Sequence, residues 1–191
     1  GWPKDRETIF PLQAAAGYAM VKGLFRYKRN VLVEGMSDYY YLHALSQQCR
    51  KAKLECLPDE IYITPCGGTK MIGHIASLFL GQDVRPIVLL DGDEAGRVRR
   101  DALLKELYSS HGSSILMLDE ALGRSGNEVE IEDILGENII MAAVKDVINK
   151  QLVLNDDDRK KGSIPTQIKF SANRKTIDLP ERWKATVALK I

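Results

Sequence analysis

Two acidic clusters in this chain each follow directly on a short apolar run. Asn30 to Glu34 reads NVLVE and opens into Gly35-Met36-Ser37-Asp38, and Pro86 to Asp91 reads PIVLLD and opens into Gly92-Asp93-Glu94. Carboxylates gathered at one edge repel one another unless positive charge lies between them, and oxygen-only ligand sets select hard cations such as Mg²⁺ or Mn²⁺. Gly35 and Gly92 would let the neighbouring acids turn toward one point. A plainer assignment competes with this one. Ser37 or Asp93 can be an N-cap, Asp38 and Glu94 can favour a helix dipole, and the glycines can be ordinary turn residues. Capping explains one acid per helix start. It does not explain Glu34 at the end of a buried strand, or Asp91 immediately before Gly-Asp. A third cluster, Ser125 to Leu135 (SGNEVEIEDIL), alternates Glu128, Val129, Glu130, Ile131 and Glu132. An extended backbone would put its three glutamates on one side and the two apolar groups on the other. Ser125 with Glu128 fits a capping box equally well.

These acids need elements to hold them. Four apolar runs, at 30–34, 61–64, 86–91 and 114–118, are separated by helix-like stretches, and their continuous Val, Ile and Leu suit parallel strands covered on both faces. The expected fold is α/β, a small doubly wound and mostly parallel four-stranded sheet flanked by helices. Tyr39, Leu42, Leu45 and Cys49, then Ile72, Ile75, Ala76 and Phe79, then Ala95, Val98 and Ala102, recur at threes and fours, so each strand feeds a helix. In such a sheet ligands bind beyond the carboxyl ends of the strands, which is where the first two acidic clusters fall. A long helix is expected over 8–29 and another over 137–154. Residues 155–162 read as a charged turn or flexible loop, and 183–191 as helix or strand. The expected division is an N-terminal connection (1–29), a catalytic core (30–136), a helical and irregular part (137–182) and a C-terminal segment returning to the site (183–191).

Composition narrows the class further. The chain has 191 residues, 45% hydrophobic and 28% charged, enough for a full core, and its formal net charge is only +1. Any anionic partner must therefore be held by local patches. Cys49, Cys56 and Cys66 fit neither a CxxC knuckle nor a disulfide framework, and His43, His74 and His111 show no ligand spacing. No apolar run is long enough to cross a bilayer and no signal-peptide layout is present, so the expected location is the cytoplasm. Gly67-Gly68-Thr69-Lys70 lacks the full phosphate-loop pattern and reads as a strand-to-helix turn, with Lys70 a backbone contact for nucleic acid. Arg97, Arg99 and Arg100 are further candidates for DNA phosphates, Arg97 alternatively bracing Asp93 or making a plain surface salt bridge. The opening Gly1-Trp2-Pro3 suggests a piece of a longer chain.

The succession VLVEGMSDYYYL, TPCGGTKMI and IVLLDGDEAGR resembles a Toprim domain over roughly 30–135. Within that superfamily, Glu34 with Asp38, the Glu-Ile-Glu-Asp segment and the C-terminal portion resemble the OLD (overcoming lysogenization defect) family nucleases. The resemblance implies that Glu34, Asp38, Asp91, Asp93 and Glu130 or Glu132 hold two Mg²⁺ or Mn²⁺ ions for two-metal hydrolysis of a phosphodiester in DNA, nicking or resecting it. It implies Lys184 as the lysine steadying the transition state, with Lys190 as the alternative. Glu34, Asp91, Asp93 and Lys184 would then be catalytic. It also implies an ABC-type ATPase domain upstream in cis, a helicase partner and a homodimer, with no membrane association. Two other readings compete: a noncatalytic Toprim module that binds metal or a partner, and a phosphotransfer domain with Asp91 as nucleophile.

Overall fold

A computed structural model describes residues 29–191. The helix expected over 8–29, and most of the basic cluster at its end, lie outside the described residues.

Four parallel strands, β1 (Arg29–Val33), β2 (Ile61–Pro65), β3 (Ile87–Leu90) and β4 (Ile115–Met117), form one sheet in the order β2-β1-β3-β4. Helices α1 (Met36–Lys51), α2 (Thr69–Leu80) and α3 (Glu94–Glu106) make the crossovers, and β4 runs straight into the single turn α4 (Leu118–Ala121). The strands are apolar on both sides because both sides are covered. Val88 and Leu90 pack with Leu32, Ile72, Phe79 and Leu103 in one core, whereas Leu89 between them packs against a second core. That second core is built by Tyr41 of α1 and by the C-terminal half of the chain, through α5 (Glu132–Leu135), α6 (Glu137–Ile148), α8 (Ile164–Arg174) and α9 (Trp183–Ala188), while the single turn α7 (Asp156–Arg159) adds no side chain to it. Each such buried aliphatic or aromatic side chain contributes about 1.5–3 kcal/mol by leaving water.

The topology places the site. From β1 the chain moves to β2 on one side, then returns to β3 on the other, with Val31 and Leu32 in register with Ile87 and Val88. Strand order therefore reverses between β1 and β3, and their carboxyl ends flank the crevice where such sheets bind ligands.

Several boundaries differ from the expectation. Arg29 opens β1, and β4 keeps only three residues of the expected 114–118. The helix expected to reach 154 stops at Ile148, where Asn149 turns left-handed (φ 50°). Beyond it Leu152 and Leu154 are buried between exposed Gln151 and Val153, an alternation of two that the helical reading missed. The charged segment after 154 is ordered: Asn155 caps α7, and the fully buried Asp158 bonds the Asn155 amide and pairs with Arg174 at 2.7 Å. Glu128 to Glu132 is not a strand with acids on one side. Val129, Glu130, Ile131 and Glu132 are all buried, and Ser125 starts no helix.

Candidate metal centre at the carboxyl edge of the sheet

Glu34 leaves the end of β1 with both carboxylate oxygens held. Oε2 accepts from the Thr69 hydroxyl at 2.5 Å and Oε1 from the Asp91 amide at 3.2 Å, while the Glu34 carbonyl accepts from Gly68 N at 2.7 Å. One glutamate thus ties together the ends of β1 and β3 and the turn into α2. Asp93 makes the capping bond that the plainer assignment foresaw, whereas Asp38, expected there only to favour the helix dipole, closes back on the turn before its helix and Ser37 is not the cap. Asp38 Oδ2 accepts from Gly35 N at 2.8 Å, and Asp93 Oδ1 accepts from Gly96 N at 2.7 Å at the start of α3. Each cap uses one carboxylate oxygen, so capping and ligation are not exclusive at either residue.

The third cluster reaches the same edge from the C-terminal half. Glu130 is buried; its Oε1 accepts from the Ser163 hydroxyl at 2.6 Å and its Oε2 from Lys184 Nζ. Asp133 fixes this limb by accepting from Glu130 N at 2.8 Å and from Ile164 N at 2.9 Å. Glu132 is 1% exposed, neither of its oxygens has a hydrogen-bond partner, and Lys184 Nζ stands 4.0 Å from Oε1. Lys184 comes from α9, whose Trp183, Val187 and Ala188 are buried against α1 and α6.

Electrostatics binds the three limbs into one site. Burial raises the Asp91 carboxyl well above its ordinary range, with Asp38, Glu34 and Glu130 adding repulsion and Lys184 opposing it. Glu34 and Asp38 are raised as well, first by burial, against the hydrogen bonds that each accepts. Burial pushes Glu132 up to about 7, Lys184 pulling it down and Glu130 and Asp38 pushing it further up. Burial would favour the neutral form of Lys184, but Glu132, Glu130 and Asp91 outweigh it and hold the ammonium charged. Four carboxylates, Asp38, Asp91, Glu130 and Glu132, thus interact with one cation, Lys184, and Glu34 and Asp93 adjoin them through the repulsion of Glu34 by Asp93 and Asp38. Their oxygen-only chemistry, the raised carboxyls of Glu34, Asp38, Asp91 and Glu132, driven first by burial and then by repulsion, and the unpartnered Glu132 carboxylate fit a hard divalent ion. As the side chains stand, no three His, Cys, Asp or Glu groups among the described residues converge on a single metal position.

Two open clefts flank the edge and share Gly67. One, of about 770 Å³, is lined by Ser37, Tyr40, Trp183 and Lys184. The other, of about 730 Å³, is lined by Thr69, Lys70, Glu94, Val98 and Arg99. Lys70 is exposed, and its carbonyl accepts weakly from Arg99 at 3.4 Å. Arg100 is engaged with Glu120 at 2.8 Å. Arg97 faces away from Asp93. Its guanidinium pairs with Asp119 at 3.0 Å and donates to the carbonyls of Gly92 and Asn127 at 2.9 and 3.0 Å. Asp119, fully buried at the start of α4, and Ser163 on Glu130 are contributors that the sequence reading missed. Asp119 follows directly on the fourth apolar run, 114–118, the same acid-after-strand signal as Asp91, whereas Ser163 lies in no such pattern.

The parallel sheet, the switch between β1 and β3 and the acids at its edge define a Toprim-type α/β module. Residues 25–93 match the family model described as "Overcoming lysogenization defect protein-like, TOPRIM domain". This stretch is thus similar to an OLD-like Toprim domain, a likeness that supports a Toprim-type module for this part of the chain. The solved C-terminal region of the Burkholderia pseudomallei OLD protein is similar to 86% of this chain over 89% of its own length, at 16% identity and a TM-score of 0.42. No curated protein matches the chain significantly. Among the described residues no helix is long and apolar enough to cross a membrane.

Proposed function

We propose that this region hydrolyses phosphodiester bonds in DNA with two divalent cations, Mg²⁺ or Mn²⁺, held by Glu34, Asp38, Asp91, Asp93, Glu130 and Glu132. The observation that carries this reading is the gathering of buried, mutually repelling carboxylates from three separate limbs around one lysine. Cations bound there would supply the charge that activates water and stabilises the developing oxyanion. The chain's own residues do the rest. The bonds from Thr69 and the Asp91 amide keep Glu34 from rotating, so its oxygens are presented without reorganisation. Lys184 carries a permanent charge on a half-buried stem at the mouth of the first cleft, suited to a non-bridging or departing phosphate oxygen. Lys70 and Arg99, lining the second cleft, would meet the DNA backbone.

A phosphotransfer reading with Asp91 as nucleophile fits less well, because burial and three neighbouring carboxylates favour its protonated, non-nucleophilic form. The test is nicking and linearisation of supercoiled plasmid with Mg²⁺, Mn²⁺ or Ca²⁺ by the parent, Glu34→Ala and Asp91→Ala. Cleavage by the parent that both variants lose is the expected result. No cleavage with any ion would leave a noncatalytic binding module. The ATPase domain in cis, the helicase partner and the homodimer are proposals of the same resemblance. Cleavage by the longer chain that ignores ATP and the helicase, and sedimentation as a monomer, would count against them.

A further inference from the structure

Arg97 is absorbed by no part of that mechanism, yet it makes the densest set of contacts near the centre. It lies in the first turn of α3, and its side chain reaches back beneath the Gly92 turn. One nitrogen, Nη1, pairs with Asp119 Oδ2 at 3.0 Å, and Nη2 donates to Gly92 O at 2.9 Å and Asn127 O at 3.0 Å. Asp119 Oδ2 also accepts from Gly126 N at 2.8 Å, and the Asp119 carbonyl accepts from Arg124 N at 2.7 Å. On the other side of the turn, Gly92 N donates to Val129 O at 2.7 Å, directly before Glu130. A side chain at Gly92 would strike Asp119, its Cβ lying 2.6 Å from the Asp119 Cβ. The turn carrying Asp91 and Asp93 and the loop carrying Glu130 and Glu132 are therefore locked in mutual position by one guanidinium and one buried carboxylate. The fork splits the three acceptors between two nitrogens, Nη1 on Asp119 and Nη2 on the two carbonyls, whereas a lysine would have to bring all three to one nitrogen at a shorter reach.

We propose that Arg97 is a positioning residue for the metal centre. Through Asp119 it sets the spacing between the Asp91/Asp93 limb and the Glu130/Glu132 limb, so that a cation bridging the two limbs binds only while this lock is closed. The proposal rests on the metal-centre reading, and it makes Arg97 a part of the site's frame in place of the DNA contact that its spacing suggested.

The experiment compares the parent, Arg97→Lys and Arg97→Met for Mn²⁺ binding by calorimetry, for kcat and KM on DNA, and for amide hydrogen exchange over 119–132 against 137–148. The expected outcome is a loss of about 10-fold to 100-fold in Mn²⁺ affinity and in kcat, KM for DNA changing little, with faster exchange confined to 119–132. Arg97→Lys should also be impaired, since it keeps the charge and lacks the fork. A raised KM with unchanged kcat and Mn²⁺ affinity would make Arg97 a DNA contact and overturn the proposal. So would a lowered melting temperature with parental Mn²⁺ affinity in the folded fraction, or parental behaviour of Arg97→Lys. If Arg97→Met does not fold, Arg97→Lys decides. A parent that binds no Mn²⁺ sinks the metal reading itself, and the exchange comparison then still reports whether Arg97 holds the two limbs together.

Discussion

Glu132 offers the sharpest test of the electrostatic account, because its charge is costly in the folded protein and, under the proposed metal centre, would be useful only once a cation arrives. Its folded pKa of about 7 lies above the ordinary 4.5, so between those pH values the native state binds more protons than the unfolded chain. The unfolding free energy must then fall as pH rises through that window. Fully developed above pH 7, the cost is about 3 kcal/mol, taking 1.36 kcal/mol for each unit of the rise. Glu132→Gln keeps the shape of the neutral acid and cannot ionise. In EDTA, urea unfolding should show parent and variant nearly equal at pH 4 and the variant more stable by about 2–3 kcal/mol at pH 8. Saturating Mn²⁺ should reverse the order, stabilising the parent more than a variant with one ligand fewer. Parallel pH profiles in EDTA, or a variant that is the less stable one at pH 8, would refute the claim that Glu132 is held near neutrality by burial and its neighbours.

The remaining expectations are more direct. Lys184→Met should lower kcat by about 10²-fold to 10³-fold with Mn²⁺ affinity kept within a few-fold, measured on supercoiled plasmid; a loss confined to KM would place Lys184 outside the chemistry. Gly92→Ala should cost about 1–3 kcal/mol in urea unfolding and abolish cleavage, because its Cβ has no room beside Asp119; a fully active variant would mean that the turn moves freely. Lys70→Ala should reduce the slope of log affinity for DNA against log salt by about 0.9 while leaving Mn²⁺ binding unchanged, and an unchanged slope would remove Lys70 from the DNA path.

The parallel sheet was legible because both of its faces carry apolar side chains, one fully buried and the other covered only in part, with Ile87 and Leu116 left exposed: continuous runs such as Ile87 to Leu90 have no amphipathic alternation in sequence. Glu34 and Asp91 were legible for a related reason. An acid at the end of such a run breaks the apolar pattern, and the strand order makes β1 and β3 neighbours. The C-terminal half was harder to read because its signals are mixed. Asp156-Asp157-Asp158 looks like a solvated charge run, yet Asp158 is a buried cap, and the difference lies in Arg174, sixteen positions on. Glu130 and Glu132 share burial with Val129 and Ile131, so a rule of alternation assigned them to the wrong geometry. Arg97 left three readings open. Its position one turn past the acids allowed a phosphate contact, a brace for Asp93 or a salt bridge, and the fold supplies Asp119 as the partner of that salt bridge.

Different contacts hold the different limbs of the site. Glu34 and Asp91 are set by hydrogen bonds within the sheet and its first turns, whereas Glu130 and Lys184 depend on Ser163, Asp133 and the packing of α9. The first pair belongs to elements with a core of their own, in which Leu32, Ile72, Phe79 and Leu90 are buried together. The second pair belongs to the core built by α6, α8 and α9. A centre that draws its acids from two cores is complete only when both are packed against the sheet, and Leu89, between Val88 and Leu90 on β3, is the strand residue facing the second of them. Lys184 then has a role apart from chemistry: its charge offsets part of the repulsion among Glu130, Glu132 and Asp91, which would otherwise oppose bringing the two halves together.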